Sequence, residues 1–430
     1  MTTDHHGQFS DGKEHPTDEL SQSIEQPRET PRETSNSVLV LDSHCRYALT
    51  AIRSLGRQGV EVIAASPTPR SAGSLSRYAN GARTYPSPNE HREAFLSWLE
   101  AELRDGDYGM VLPVAEATVR PVTEARERFD PHTVVPFLPY DRLLVGLDKS
   151  QTIRAARRAD VACPETLFLE TADYDRAVRE LGKPLVVKAR RGSSRTGVYV
   201  CDDRAVFVSA FEAARTDDGP PLVQEYVPDG GERGVYTVYD CEGSLLGLTI
   251  QHRLRSSHDD GGASTYRETV DDPELRRTAR RLLEELDWRG VAMVEFRIDA
   301  RTGEAKLMEI NPRLWGSLAL TVKAGVDVPY LLYRTACFGD AEPTLTYDSG
   351  VRMRWFFGDM MRVSKTENRL AGMAEFVSDT ADRTGYDVLS MDDPLPVLGS
   401  VEAMFRNVYS QTNGMLSVPV RRRRTESDSR

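Results

Sequence analysis

Two short segments carry carboxylate and amide side chains at the spacing of β-strands. Val294-Glu-Phe-Arg-Ile298 is followed by a turn over Asp299 to Gly303 and then by Leu307-Met-Glu-Ile-Asn-Pro-Arg313. Successive side chains of a strand alternate between faces, so Glu309 and Asn311 are expected on one face, with Met308 and Ile310 on the opposite, apolar one. Glu295 likewise opposes Val294 and Phe296. A hairpin through the turn then brings two carboxylates and an amide oxygen to one spot, with Arg313 beside them. Hard oxygen donors of this kind suit Mg²⁺ (or Mn²⁺) that also carries nucleotide phosphates. A solvated sheet face would account for Glu295 alone, but the pairing of Glu309 with Asn311, ending in Asn-Pro-Arg, favours the metal.

Lysine is scarce: seven among 55 basic residues. Lys188 closes the apolar run Pro184-Leu-Val-Val-Lys188 and precedes Ala189-Arg-Arg-Gly-Ser-Ser-Arg-Thr-Gly197. In that loop Gly192, Ser193, Ser194 and Gly197 offer backbone N–H groups and hydroxyls to phosphate oxygens, and the glycines let it move. A plain surface turn would read the same. Lys149 lies in Val145-Gly-Leu-Asp-Lys-Ser150, which is not a P-loop, because Asp148 replaces the glycine before the lysine and the upstream glycine is missing. Arg253 and Arg255 follow a strand and precede the polar loop Ser256-Ser-His-Asp-Asp-Gly-Gly262; contact with a substrate and plain exposure stay equally open for both, and His258 is read as solvated.

The elements that must position these groups change texture along the chain. Residues 1–36 are polar and read as a disordered leader. Val38 to Leu41, a helix bearing Ala48, Ile52 and Leu55 capped by Asp42 or Ser43, and Val60 to Ala65 form a βαβ unit. Strands at Met110 to Val114 and Thr133 to Phe137 continue the alternation, so residues 37–140 read as a small doubly wound α/β domain without a G-x-G-x-x-G turn. From about residue 160, shorter strands follow at 184–188, 198–200 and 222–227, then a hairpin of Val235 to Tyr239 with Leu245 to Ile250, a helix over 274–287, and the strand pair holding Glu295 and Glu309. Antiparallel sheets are the expectation there. Residues 346–420 begin as packed structure around Trp355, Phe356 and Phe357 and have no functional reading, and 421–430, with Arg421 to Arg424, is read as a solvated tail rather than a nucleic-acid tag.

Taken in order, these pieces resemble the ATP-grasp superfamily over roughly residues 37–345, on its carboxylate–amine ligase and carbamoyl-phosphate-synthase-like carboligase branch. The motifs are Asp148-Lys149, Lys188 before Gly192 to Gly197, Gln224-Glu-Tyr-Val227, and Glu295 with Glu309-Ile-Asn-Pro-Arg313. The resemblance implies an α/β N-terminal domain followed by an α+β ATP-grasp fold over 141–345, in which two antiparallel-sheet subdomains hold ATP between them, one being a lid over about 160–225. It implies that Lys149 and Lys188 contact the α- and β-phosphates. Glu225 and the Val227 backbone, in the hinge strand with Gln224 and Tyr226, would hold adenine, and Glu232 the ribose. Glu295, Glu309 and Asn311 would hold the metal, while Arg313 steadies the transferring phosphoryl group. The loop after Arg253 and Arg255 would face the acceptor. The implied activity is ADP-forming ligation of a carboxylate to an amine or similar nucleophile through an acyl phosphate. A biotin-dependent carboxylase component, disfavoured by the lack of a Met-Lys-Met-like site, and a non-catalytic nucleotide-binding module are the alternatives.

Composition agrees with small-molecule substrates. A net charge of −11 repels phosphate, which disfavours nucleic acid and anionic membranes as partners. No stretch approaches a membrane span and no secretory core opens the chain, so a cytoplasmic enzyme is expected, for which a homodimer is compatible. The five cysteines are scattered and form no metal or disulfide pattern. The acidic, arginine-rich balance suits a salt-rich cytoplasm, although a GC-rich genome gives the same bias.

Overall fold

The computed structural model describes residues 35–192, 197–258, 261–366, 369–378 and 384–416. Three sheets organise them. The first holds β1 (Ser37–Val40), β2 (Glu61–Ser66), β3 (Gly81–Thr84) and β4 (Met110–Leu112) in the order β3-β2-β1-β4, all parallel. Helices α1 (Arg46–Arg57), α2 (Arg92–Asp105) and α3 (Glu116–Glu124) flank it. Strand order reverses between β1 and β4, and the crevice outside the carboxyl ends of such strands is where open α/β sheets take ligands. Val38, Leu39, Val40 and Leu41 are wholly buried, as a strand covered on both faces requires.

Two expectations for this region need correction. Asp42 does not cap α1, whose N-cap Cys45 makes no side-chain cap. Asp42 instead takes a left-handed conformation, φ 56°, and its Oδ2 accepts from the Val114 and Ala115 N–H groups at 3.1 and 2.8 Å. That carboxylate therefore ties the end of β1 to the start of α3. Thr133 to Phe137 is no strand: only Val134 forms a parallel bridge, to Met110, because Pro136 has no N–H to continue the ladder.

Helices α4 (Tyr140–Leu147) and α5 (Lys149–Arg158) lead to the second sheet. It comprises β5 (Thr166–Phe168), β6 (Leu185–Lys188), β7 (Val198–Cys201) and β8 (Leu222–Glu225), antiparallel in the order β5-β8-β6-β7, backed by α6 (Tyr174–Leu181) and α7 (Arg204–Ala213). Its core is separate and small, built on Leu185, Val187, Phe207, Phe211 and Val223.

The third and largest sheet runs β13-β12-β9-β10-β11-β14-β15. Its strands are β9 (Asp229–Tyr239), β10 (Leu245–His258), β11 (Gly261–Thr269), β12 (Gly290–Asp299), β13 (Ala305–Asn311), β14 (Arg352–Arg354) and β15 (Thr384–Tyr386). Helices α8 (Pro273–Glu285), α9 (Leu318–Lys323) and α10 (Val328–Phe338) pack on it; α11 (Phe356–Lys365), α12 (Arg369–Ser378) and α13 (Pro396–Leu416) complete the chain. Asp272 and Asp327 cap α8 and α10 by accepting from the Leu275 and Tyr330 N–H groups, with Pro273 and Pro329 in the first turns. One apolar core spans the first and third sheets.

The strands expected at 235–239 and 245–250 form, but both are longer, and residues read as a loop after Arg255 continue β10 and return as β11. The segment beyond residue 346 joins the large sheet through β14 and β15. It also grips the first domain's α1: Arg53 bonds Asp393 Oδ2 at 2.8 Å and the Val388 carbonyl at 2.9 Å. The leader through residue 34, Ser193, Ser194 and the arginine tail lie outside the described residues.

Candidate active site

A cleft of about 470 Å³ opens between the second and third sheets and reaches the start of α1. Glu295 and Glu309 are direct cross-strand partners on β12 and β13, on the face that lines it. Asn311 Nδ2 donates to Glu309 Oε1 at 2.9 Å, and Arg313 Nη2 donates to Asn311 Oδ1 at 3.0 Å. The two acids, the amide and the arginine thus form one connected row. Met308 departs from expectation: it lines the cleft instead of the apolar face. The register slips between Glu295 and Phe296, where Glu309 and Leu307 are the successive partners, so Met308 is the extra residue of a β-bulge and loses the strict alternation. Leu307 and Ile310 keep the buried face.

Both lysines reach this row. Asp148 caps α5 by accepting from the Ser150 N–H at 2.9 Å, which fixes Lys149 as the first helical residue. Lys149 Nζ then lies 3.9 Å from Glu309 Oε2 and donates to the Gly192 carbonyl at 2.8 Å. Asp148 also receives the Arg190 guanidinium, Nε at 3.1 Å, which joins the loop after β6 to α5. Lys188, at the end of β6, is deeply set. Burial lowers its ammonium to about 8, against the opposing pull of Glu309. Among the described residues its one polar contact is the Met308 thioether at 4.0 Å. A half-buried cation so poorly partnered, lining the cleft, offers its charge to an anion there.

The carboxylates split in character. Burial and then the charge of Glu309 push Glu295 up to about 8, with Arg253 pulling the other way. Burial also works to raise Glu309, but Lys149, the hydrogen bond with Glu295 and the Asn311 amide outweigh it and hold it below its usual value. Two acids facing each other in this way repel, so the pair disfavours carrying both charges without a cation between them. The donor set of two carboxyls and an amide fits a hard divalent cation that completes its shell with phosphate oxygens. Among the described residues no group of three or more His, Cys, Asp or Glu forms a self-sufficient metal cage.

At the opposite end lie Gln224, Glu225, Tyr226 and Val227. Glu225 is held by Lys306 Nζ at 2.5 Å and by the Glu165 N–H at 3.1 Å. Gln224 Nε2 donates to Thr166 at 2.9 Å, leaving Oε1 buried without a partner among the described residues. Glu232 lines the cleft but is already engaged, accepting from Arg297 at 2.7 Å and from Arg253. Gly192 is at the cleft. Gly197 is not: its carbonyl accepts from the Ala189 N–H at 2.8 Å, extending the β6–β7 hairpin, with φ 74° and no room for a β-carbon beside Ala189.

Arg253 and Arg255 part company. Arg253 lies in the cleft, its Nη2 3.1 Å from Glu295 Oε1. Arg255 is not brought there; its Nη1 bonds Asp359 of α11 at 2.6 Å. The cause is a bulge in β10: Arg253 pairs with Arg267 but Arg255 pairs with Tyr266, so the two arginines face opposite sides. Residues absent from the sequence reading also line the site. Arg46 and Tyr47 open α1, just beyond the carboxyl end of β1, and the switch-point rule would have found them.

Known proteins resemble this chain in sequence and fold. A family model described as ATP-grasp in the biosynthetic pathway with Ter operon matches residues 218–357. A formate-dependent phosphoribosylglycinamide formyltransferase of Oleidesulfovibrio alaskensis is 26% identical over 332 residues, covering 71% of this chain and 78% of that protein. A D-alanine–D-alanine ligase of Chromohalobacter salexigens is 28% identical over 183 residues, covering 39% of this chain and 55% of that protein. In fold, the biotin carboxylase of Campylobacter jejuni, crystallised with a nucleotide, superposes with a TM-score of 0.61 at 17% identity, over 72% of each chain. Among the described residues no helix is long and apolar enough to cross a membrane.

Proposed function

We propose that this chain, which belongs to the ATP-grasp superfamily, is an ATP- and Mg²⁺-dependent ligase that activates a carboxylate as an acyl phosphate and passes the acyl group to an amine or similar nucleophile, releasing ADP and phosphate. The observation that carries the reading is the facing of two lysines onto one row of Glu295, Glu309, Asn311 and Arg313, in the cleft between the second and third sheets. Two curated relatives bear names of matching chemistry, a formate-dependent formyl transfer and a ligation of two amino acids.

In this reading Glu295, Glu309 and Asn311 hold the metal, which when bound offsets the charge of the outer phosphates. Lys149 and Lys188 take the inner phosphates. Lys188 suits that role because its ammonium lacks a strong acceptor and would regain full charge beside a phosphate. Gln224 to Val227 receive the base at the hinge. Arg313 balances the negative charge that builds as phosphoryl passes to the carboxylate, and Arg253 does the same from β10. The second sheet acts as the lid that keeps water from a hydrolysable acyl phosphate.

The test is isotopic. With oxygen-18 in the carboxylate of the acyl donor, the label should appear in released inorganic phosphate and ADP should form stoichiometrically. AMP as the nucleotide product, or unlabelled phosphate, would refute the mechanism.

A further inference from the structure

The chain enters the second sheet through residues 159–165, between α5 and β5, and leaves it through Tyr226-Val-Pro228, between β8 and β9. These two crossings are the covalent links about which that sheet can turn against the third. Both are tied to the β12–β13 hairpin: the Leu307 N–H donates to the Ala162 carbonyl at 2.8 Å, and the Ala300 N–H to the Pro228 carbonyl at 3.2 Å. Glu225, the last residue of β8, stands where the crossings meet. Its N–H donates to the Glu165 carbonyl at 3.0 Å, and its Oε1 accepts from the Glu165 N–H at 3.1 Å.

The same carboxylate reaches across to the third sheet. Oε1 also accepts from Lys306 Nζ at 2.5 Å, and Oε2 from Arg301 Nη2 at 3.1 Å, so protein donors take three of its roughly four lone-pair sites. Asp299, wholly buried, holds both cations from the other side: its Oδ2 lies 2.6 Å from Arg301 Nη2 and 3.7 Å from Lys306 Nζ. Burial works to raise Glu225, but Lys306, the Glu165 N–H and Arg301 outweigh it and hold its carboxyl below the usual value. The Glu225 and Lys306 side chains are only 13% and 12% exposed, so solvent screens this pair far less than a surface ion pair. Lys306 precedes Glu309 by three positions on β13, so one strand carries both the metal row and this contact.

We infer that Glu225 is a positioning residue of the hinge: its carboxylate, with Lys306 and Arg301, sets the angle at which the second sheet meets the third, and acts on a bound nucleotide through that angle and not by contact with the base. A nucleotide held by Lys188 on one sheet and, through metal, by Glu309 and Asn311 on the other is sensitive to that angle, because a misplacement of about 1 Å is enough to spoil reacting geometry. Only the word nucleotide rests on the ligase reading; the hinge contact is read without one.

The variants are Glu225→Gln, Lys306→Met and the two combined, with Lys306→Arg as the conservative change, all on the full chain. Hydrogen exchange without nucleotide should be about tenfold faster at 163–168 and 222–228 in the first three, the scale of one lost hydrogen bond to a charged group, and unchanged at 246–250 in the third sheet. Calorimetry should show Mg-ADP weakened by about tenfold in both single variants, a combined loss smaller than the product of the two, and recovery in Lys306→Arg. The ratio of affinities for ADP and for the diphosphate of purine riboside, which lacks the exocyclic amine, should be the same in all of them. A ratio that collapses in Glu225→Gln makes Glu225 a base contact and overturns the inference. Losses that multiply in the double variant, or exchange in Lys306→Met equal to that of the unaltered protein, overturn it as well. Failure of the unaltered protein to bind Mg-ADP refutes the ligase reading instead, and hydrogen exchange still decides on the hinge. If Lys306→Met does not fold, Arg301→Met, at a half-exposed position, takes its place against the same outcomes.

Discussion

Replacing Phe211 by alanine asks whether the second sheet stands on its own core. Phe211 is fully buried, packs against Phe207 at a ring-centroid distance of 6.0 Å, and belongs to a cluster separate from the core of the other two sheets. Truncating a buried phenylalanine costs about 3–5 kcal/mol. A segment the length of residues 166–225, at about 0.05–0.15 kcal/mol per residue, has a total stability on the order of 3–9 kcal/mol. The substitution therefore removes a third or more of what holds the second sheet, while the larger core loses no contact. Pulse proteolysis with peptide mapping should show cuts concentrated within 166–225, with β9 to β13 still protected. Mg-ATP affinity should fall in proportion to the fraction of lids unfolded, since Lys188 is carried on β6, and excess Mg-ATP should restore protection. Cleavage of both parts at one common rate would show that the molecule unfolds as a single unit and that the separate core confers no independence.

Glu309→Gln or Asn311→Ala should leave thermal unfolding nearly unchanged and lower Mg²⁺-dependent turnover by about 10²-fold or more, the scale of one lost electrostatic contact in an active site; steady-state ADP release checks it. Cleavage within 190–197 should slow on adding Mg-ATP, as a closing lid requires, and timed proteolysis with and without nucleotide reads this directly. Gly146→Ala should reduce kcat with a melting shift of only a few degrees, because its β-carbon would sit 3.0 Å from Pro312 Cδ and 3.3 Å from the Ile310 carbonyl, pressing on the segment that carries Glu309 and Arg313. Asp148 resists burial through Arg190 and Ser150, which hold its carboxyl below the usual value. The stability lost in Asp148→Asn should therefore be full at neutral pH and vanish as pH falls below the ordinary carboxylate range, measured as urea midpoints at several pH values.

Period-two spacing made the Glu295–Glu309 pair and Asn311 legible from residue order, because antiparallel partners on one hairpin have little freedom in where they meet. The same rule misplaced Met308 and grouped Arg253 with Arg255, since a bulge adds one residue and reverses the face while leaving no mark in composition. Lys149 and Lys188 stood out through scarcity of lysine, yet nothing in the chain order says that Asp148 and Arg190 join their loops. Arg46 was invisible for a related reason: it depends on Asp387, 341 positions away. Such partners are fixed by tertiary closure and not by local pattern. The C-terminal segment gave apolar residues to pack but no hint that β14 and β15 extend the central sheet.

Asp42 gives the two sides of the cleft unequal mechanical roles. Its carboxylate binds the Val114 and Ala115 N–H groups, and its own N–H and Oδ1 meet the Tyr85 hydroxyl at 3.0 and 3.1 Å, so the rim that presents Arg46 and Tyr47 is stitched across three elements. Facing it is a sheet with a small core of its own. In the proposed ligase the cleft is thus an anvil opposed by a hammer, with shape discrimination assigned to the stitched wall and timing to the sheet that has its own core. Substitutions on the first should change which molecules are accepted at an unaltered pace, and those on the second should change the pace for every molecule alike.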